Sequence, residues 1–402
     1  MPESISFETS LEQATLTPAL TVTMAVASGI AVANTWYSQP MLADMAHTLH
    51  CGARQISLVA TATQIGYGVG MPVFLPLADL MERRRLVVSL FLAVGCALMG
   101  AALAQNLTTL VLTSFFIGLT TVIAQVLIPA ATELASPVAQ GRVVGTIMTG
   151  VLLGILLART VSGFVSQHLG WRAMFWIAAA LAWFFAGMLR WRLPLMPVLV
   201  RTSYRQLIGS IFTLVRDFPE LWQISLIAAM FFAPFSAFWT TLVFLLGTPP
   251  YHFGSQVAGL FGLVGATGAL IAPAAGHLSD RRGSGYVITL STFGVLLSFA
   301  IFWMFGFHLW GLVAGVILLD AAVQAAQVSN QSAVFALQPT ARGRLNTVYM
   351  LCYFGGAAIG SYAGSWAWSG WGWPGVCGMG IGLTCIPAAV LLFGKPYRSR
   401  KT

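Results

Sequence analysis

Twenty basic and eleven acidic side chains are all the charge that 402 residues carry, and they are spaced so that apolar stretches several tens of residues long lie between them. A helix of about 20 apolar residues crosses a bilayer, so each such stretch is a candidate crossing. With 57% hydrophobic and 8% charged residues, against roughly 25% charged in an ordinary soluble domain, a water-soluble globular fold is excluded. The class expected is an all-α polytopic membrane protein. The net charge of +9 does not make a nucleic-acid binder, because the basic residues form short clusters between apolar runs rather than one concentrated face. Cys51, Cys96, Cys352, Cys377 and Cys385 contain no C-x-x-C pair, and there is no His-Glu-x-x-His motif and no G-x-x-x-x-G-K-[S/T] loop. Neither a metal, a cofactor, ATP hydrolysis nor enzymatic chemistry is therefore expected.

The first seventeen residues carry Glu3, Glu8 and Glu12 but no Lys or Arg, so the basic start of a cleavable signal peptide is missing and the first apolar helix is expected to stay. Charges and turn residues divide the remainder of the chain into twelve candidate helices, at 18–46, 55–79, 86–105, 107–135, 142–168, 171–190, 221–247, 255–279, 286–306, 309–337, 344–368 and 373–394. The expected organisation is a tail at 1–17, a six-helix bundle at 18–190, a polar central loop at 191–220, a second bundle at 221–394 and a basic tail at 395–402. Lys and Arg are enriched in cytoplasmic loops. With a cytoplasmic N-terminus, that side collects Arg83, Arg84, Arg85, Arg142, the five arginines of residues 190–220, Arg281, Arg282, Arg342, Arg344 and the basic tail. Only Arg54 and Arg172 fall opposite, and Arg159 stays inside the membrane. Both termini are thus expected in the cytoplasm.

The two halves repeat each other. Asp79 in Leu77-Ala78-Asp79-Leu80-Met81-Glu82-Arg83-Arg84 is echoed 201 residues later by Asp280 in Gly276-His277-Leu278-Ser279-Asp280-Arg281-Arg282-Gly283. Ala124-Gln125-Val126, Pro137 and Gly141-Arg142 return as Ala326-Gln327-Val328, Pro339 and Gly343-Arg344, each at an offset of 202, and Gly170-Trp171 returns as Gly372-Trp373 at the same offset. Such a set in one order and register implies two bundles of like topology, related by an axis along the membrane normal.

These residues resemble the major facilitator superfamily, whose signature after the second and eighth helices reads approximately Gly-x-Leu-Ala-Asp-Arg-x-Gly-Arg-Arg. The second copy here keeps Gly276, Leu278, Asp280, Arg281 and Gly283; the first keeps Leu77, Ala78, Asp79, Arg83 and Arg84. Segments around Asn34–Pro40 and Gly154–Gly163 are similar to a bacterial branch near the drug:proton antiporters, although Ala158-Arg159 stands where that branch has Gly-Pro. The resemblance implies a bacterial inner-membrane protein, a monomer, working by alternating access. It also implies that Asp79 and Asp280 latch onto helix starts near Gly343 and Gly141 while the cytoplasmic side is closed, and that the first, fourth, seventh and tenth helices line a central cavity.

Asp320, Gln324, Gln327 and Gln331, spaced i, i+4, i+7 and i+11, share one narrow face of the tenth helix, which in lipid would be very unfavourable. That face is expected to meet a cavity or another helix, with Asp320 as a coupling group. Thr121, Gln125 and Thr132 form the counterpart on the fourth helix, and Glu133 is expected as an interfacial charge near Arg142. Arg159 has three open roles: a partner for Asp320, a ligand for an anionic substrate group, or part of a structural network. Asn34, Tyr37, Gln64, Gln125, Trp239, Gln324, Gln327, Tyr349 and Tyr353 make the candidate binding set, since small-molecule sites combine apolar walls with a few placed polar groups. The function expected is a secondary transporter, moving a lipophilic or amphipathic compound out in exchange for protons. Uptake or facilitated diffusion of a sugar or organic anion, and a non-transporting receptor on the same fold, are the alternatives.

Overall fold

The computed structural model describes residues 16–196, 203–338 and 341–393. Residues 1–15 with their three glutamates, 197–202 with Pro197, 339–340 with Pro339, and the basic tail 394–402 lie outside the described residues. Eleven helical runs are long and apolar enough to cross a membrane: Pro18–Thr48, Ala53–Leu80, Arg83–Ala102, Leu107–Leu134, Gln140–Leu169, Trp171–Arg192, Pro219–Leu246, Ser255–Arg282, Ser284–Phe305, Leu309–Leu337 and Arg342–Val390. The last is interrupted at Gly372 (φ 62°, ψ −152°) and supplies two crossings, giving a first to a twelfth span. The fold is all-α, in two six-helix bundles.

Gly170 and Gly372, the repeated glycines ahead of the sixth and twelfth spans, both hold positive φ, 85° and 62°. That backbone disfavours any side chain with a Cβ, so glycine here sets a sharp reversal between consecutive spans. The tryptophan after each anchors the corner: Trp171 Nε1 donates to Thr48 Oγ1 (3.2 Å) and Trp373 Nε1 to the Phe302 carbonyl (2.9 Å). Inside each half the same pair of spans is held by small residues. Gly29, Gly150 and Gly154 bring the first and fifth spans into backbone contact, while Gly356, Gly360 and Gly364 lie against Ala229, Ala233 and Ala237 between the seventh and eleventh. Without a hydrophobic drive in lipid, such close approach is what favours helix association.

Four spans expected as continuous are broken, the second only by Ser57 between Ala53–Ile56 and Leu58–Leu80; the other three breaks are larger. The first runs Pro18–Ala33 and Ser38–Thr48, the fourth Leu107–Thr120 and Ile123–Leu134, the eighth Ser255–Ala269 and Ala272–Arg282. At the first break the amides of Asn34, Thr35 and Trp36 bond back three residues, to Ala31, Val32 and Ala33 (3.2, 3.1 and 3.0 Å). This tighter winding redirects the helix and rotates Trp36 to Gln39 off the face a continuous helix would give them.

The central stretch forms a helix, Tyr204–Asp217, opened by a reciprocal capping box between Ser203 and Gln206. It lies against the second span and the helix that begins at Arg342, so it touches both halves, and Tyr204 Oη donates to the Val73 carbonyl (3.3 Å). Its side of the molecule is the linker side; the other is the far side. On the linker side Glu133 pairs with Arg83 (2.7 Å), which also approaches Asp79 (3.8 Å). This corrects the expected placement of Glu133 beside Arg142: Arg83, at the start of the third span, is packed inward and reaches the end of the fourth.

The far side is sealed. Between the fifth and eighth spans Thr160 Oγ1 donates to the Gly259 carbonyl (3.2 Å), Ser255 Oγ to the Gly163 carbonyl (3.3 Å) and the Gln256 amide to Gln167 Oε1 (3.0 Å). Gly163 and Gly259 let the two backbones touch. Arg54 Nη2 donates to Tyr362 Oη (3.0 Å) across the second and eleventh spans. Apart from the contacts of the linker helix, the hydrogen bonds and ring contacts between halves among the described residues lie at mid-depth or on this far side. Asp79 and Asp280 make no such contact across the halves, and a Cβ built on Gly141, Gly343 or the positive-φ Gly283 would meet nothing within 4 Å.

Candidate functional site

At mid-depth the seam between halves encloses two opposite charges. Arg159 of the fifth span and Asp320 of the tenth are 4% and 7% exposed, so neither is screened by water. They form no ion pair within 4.0 Å; Trp239 of the seventh span lies between them. The Arg159 guanidinium carbon sits 4.0 Å from the Trp239 ring centroid and 4.7 Å from that of Trp36, in the break of the first span. A desolvated guanidinium over an indole is stabilised by about 2 kcal/mol or more. Arg159 Nε donates to Gln39 Oε1 (3.0 Å), whereas its Nη2 has no partner. On its other edge the Trp239 indole N–H is directed at the Asp320 carboxyl without completing a hydrogen bond, and Trp239 Nε1 and Asp320 Oδ2 are both left unpartnered.

The repeat explains how the fold admits these charges. The 202-residue offset places Asp320 on Gly118, and Gly118 in the first half lies against the backbone of Thr63 and Tyr67. The tenth span has exchanged that glycine for a carboxylate. The eighth span makes room through Gly265 and Gly268, where an added Cβ would stand 2.9 Å from Asp320 Oδ1 and 2.6 Å from Asp320 Cβ. Arg159 falls on Ser361, whose hydroxyl shares a 2.9 Å hydrogen bond with Thr240, beside Trp239. Each half thus contributes one charge that the other lacks.

Around this centre the unpartnered polar atoms gather on the first span: both amide atoms of Asn34, Thr35 Oγ1, Ser38 Oγ and Gln39 Nε2 are buried with no partner. Buried polar groups in proteins are nearly always satisfied, so such a concentration marks a place that water or a bound molecule completes. Toward the linker side runs a stack of rings. Phe232 lies 6.2 Å from Trp36, 3.8 Å from Tyr353 and 5.3 Å from Phe235, and Tyr353 lies 5.9 Å from Tyr349. The result is an aromatic wall with a polar, charged end.

Residues 24–336 match the Major Facilitator Superfamily. The chain belongs to that superfamily. The transporter is 41% identical over 372 residues to the uncharacterised transporter YgaY of Escherichia coli O157:H7, covering 92% of this chain and 94% of that one. Its fold is similar to the crystal structure of the nucleoside transporter NupG, with a TM-score of 0.75 at 16% identity over 94% of this chain and 99% of that one. A bacterial homologue of the human lysosomal transporter Spinster, crystallised inward-facing and occupied, gives 0.70 at 14% identity over 94% of each chain.

In the transporter, the residues singled out from the sequence fall into three groups. Asn34, Tyr37, Trp239, Arg159 and Asp320 meet at the charged centre or its first-span flank. Gln64 exchanges hydrogen bonds with Ser236 across the halves (2.8 and 3.2 Å), Gln327 Oε1 accepts from Tyr353 Oη (3.2 Å), and Gln125 adjoins Tyr67. Tyr349 is fully buried with its hydroxyl unpartnered, Gln324 is half-buried, and Gln331 bonds Asn346 (3.0 Å). The linker-side motif stands apart: Arg83 serves Asp79 and Glu133, Arg84 Nη1 donates to the Leu193 carbonyl (3.2 Å), and Gly276 lies near Val328. Asp280 and Arg281 are exposed there. Trp36, Gln39, Phe232, Ser236, Gly265 and Gly268 were not anticipated. The offset of 202 held a signal for the two glycines, since a carboxylate replacing Gly118 needs space elsewhere.

Proposed function

We propose that the transporter is a proton-coupled exporter of amphipathic compounds, working by alternating access from the bacterial inner membrane as a monomer with both termini in the cytoplasm. The observation that carries the reading is the charge pair held apart at the seam. Asp320 belongs to one half, Arg159 to the other, and the Trp239 ring separates them without neutralising either by contact. A carboxyl at that place exists in two charge states. Its charge interacts with Arg159 of the opposite half, so loading or unloading a proton changes the interaction between halves, which is the differential contact a switch requires. The aromatic run from Trp36 to Tyr349 supports an amphipathic substrate, with ring faces for its apolar part and Asn34, Ser38 and Gln39 for its polar end. The asymmetry of lysine and arginine supports the orientation, which makes the sealed far side periplasmic and the present arrangement inward-facing.

A second reading has its own support. Arg159 Nη2 is buried and unpartnered, the edge an organic anion would take, and uptake of such a substrate would need no titration of Asp320. Purified transporter in liposomes with an imposed pH gradient separates the two. Substrate-dependent collapse of the gradient across a panel of lipophilic amines supports export by antiport. Transport of organic anions without proton movement supports the second reading, and no flux of any compound argues for a receptor.

A further inference from the structure

On the linker side, within the first half, a cavity of about 230 Å3 is lined by Arg84, Arg85, Val88, Ser89 and Leu92 of the third span and Arg190 of the sixth. Its wall is mostly apolar, and the three arginines that contribute to it have one carboxylate, Glu82, beside them. Glu82 approaches Arg84 at 3.6 Å and Arg85 at 3.3 Å, and Arg84 also donates to the Leu193 carbonyl, but Arg190 has no partner among the described residues. Three positive charges and one negative leave two unbalanced.

We propose that this cavity is a binding site for the phosphate of an anionic phospholipid. The order of chemistry along the third span distinguishes a lipid from a free anion. Positions 84, 85, 88, 89 and 92 lie on one helical face, which runs from the arginines at the linker end past Val88 and Ser89 to the exposed Leu92. Its two ends match those of an amphiphile, a charged headgroup and an acyl chain. Leu92 is 48% exposed, so the apolar end of the groove is uncovered, and Trp191, 89% exposed beside Arg190, suits the level where lipid headgroups begin. The volume is below the 300–1,000 Å3 common for drug-sized ligands, and it suits a headgroup rather than a second transport substrate. Basic pockets between membrane helices recognise anionic headgroups on this principle. Both walls belong to one half, so the bound lipid stabilises that half without acting as a gate.

The test is native mass spectrometry of the full chain in mild detergent, titrated with phosphatidylglycerol or with phosphatidylcholine of the same acyl chains. The expected result is a phosphatidylglycerol adduct several-fold more abundant than the phosphatidylcholine one. Its apparent affinity should fall about fivefold in Arg190→Gln, the value of one surface arginine toward an anionic lipid. Arg85→Gln, which Glu82 partly engages, should fall less. Arg142→Gln, exposed on the same side and outside the cavity, should bind like the parent. Equal adducts of the two lipids, or an unchanged affinity in both Arg190→Gln and Arg85→Gln, overturns the proposal. Displacement of phosphatidylglycerol by millimolar inorganic phosphate overturns the lipid assignment and leaves a soluble-anion site.

Discussion

Adding one carbon to Gly259 tests whether the far-side seal is made by backbone contact. A Cβ there would press on the Arg159 carbonyl oxygen and stand 3.2 Å from Gly163 Cα; both are main-chain atoms of the fifth span, so no rotamer change relieves them. The fifth and eighth spans must separate by about 1 Å, and overpacking a tight contact in this way costs about 1–3 kcal/mol. The cost falls on the sealed state alone. At 1.4 kcal/mol per factor of ten, the ratio of far-side-closed to far-side-open molecules in Gly259→Ala should drop by about 5- to 150-fold. Spin labels at Leu169 and Phe253, both exposed at the far ends of these spans, report the change as a longer distance in double electron–electron resonance. Cys51, Cys96, Cys352 and Cys385 would first be replaced, since none is buried. Gly145→Ala, where a Cβ meets nothing within 4 Å, is the control and should leave the distribution alone. If Gly259→Ala shows the parent distances and the parent transport rate, the seal is not the close-packed contact described.

Asp320→Asn should abolish concentrative transport under a pH gradient while substrate exchange in liposomes continues; accumulation at the parent rate would remove Asp320 from coupling. Arg159→Lys keeps the charge but loses the flat guanidinium between Trp36 and Trp239, and should lower stability by about 1–3 kcal/mol in thermal unfolding. In the double change Arg159→Gln with Asp320→Asn, the losses should fall short of the sum of the single ones by at least about 0.5 kcal/mol, the signature of coupled groups. Asp79→Asn should leave the present arrangement unchanged and deplete the opposite one, seen as greater thiol labelling of linker-side cysteines; labelling equal to the parent would count against the latch.

The twelve crossings and their duplication were legible because both rest on local composition: charges end spans, and repeated glycines and tryptophans mark the same corners in each half. What brings the centre together is not local. Arg159 meets Gln39 across 120 positions of sequence, and Gln64 meets Ser236 across 172. No periodicity within either span announces the partner. The break at residues 34–37 was hidden for another reason. Asn34, Thr35, Trp36 and Tyr37 include neither glycine nor proline; the cue stands just beyond them, in Pro40 on the first turn of Ser38–Thr48, which has no N–H for the Trp36 carbonyl. Glu133 was misplaced because its partner Arg83 lies on the neighbouring span in space and not in sequence.

The duplicated halves share two seams that symmetry would make alike, and they are not alike. Where the fifth span meets the eighth, glycine faces glycine, with Gly163 and Gly259 in direct main-chain contact. Where the second meets the eleventh, a Cβ added to Gly68 would stand at an ordinary 3.5 Å from the Phe354 side chain, and the Tyr67 and Phe354 rings lie 4.3 Å apart. One seam behaves as a zipper and the other as a cushion. A zipper is either shut or parted, whereas rings slide and tilt while still touching. The halves should then swing apart as a door does, hinged on the aromatic side and opening along the glycine side.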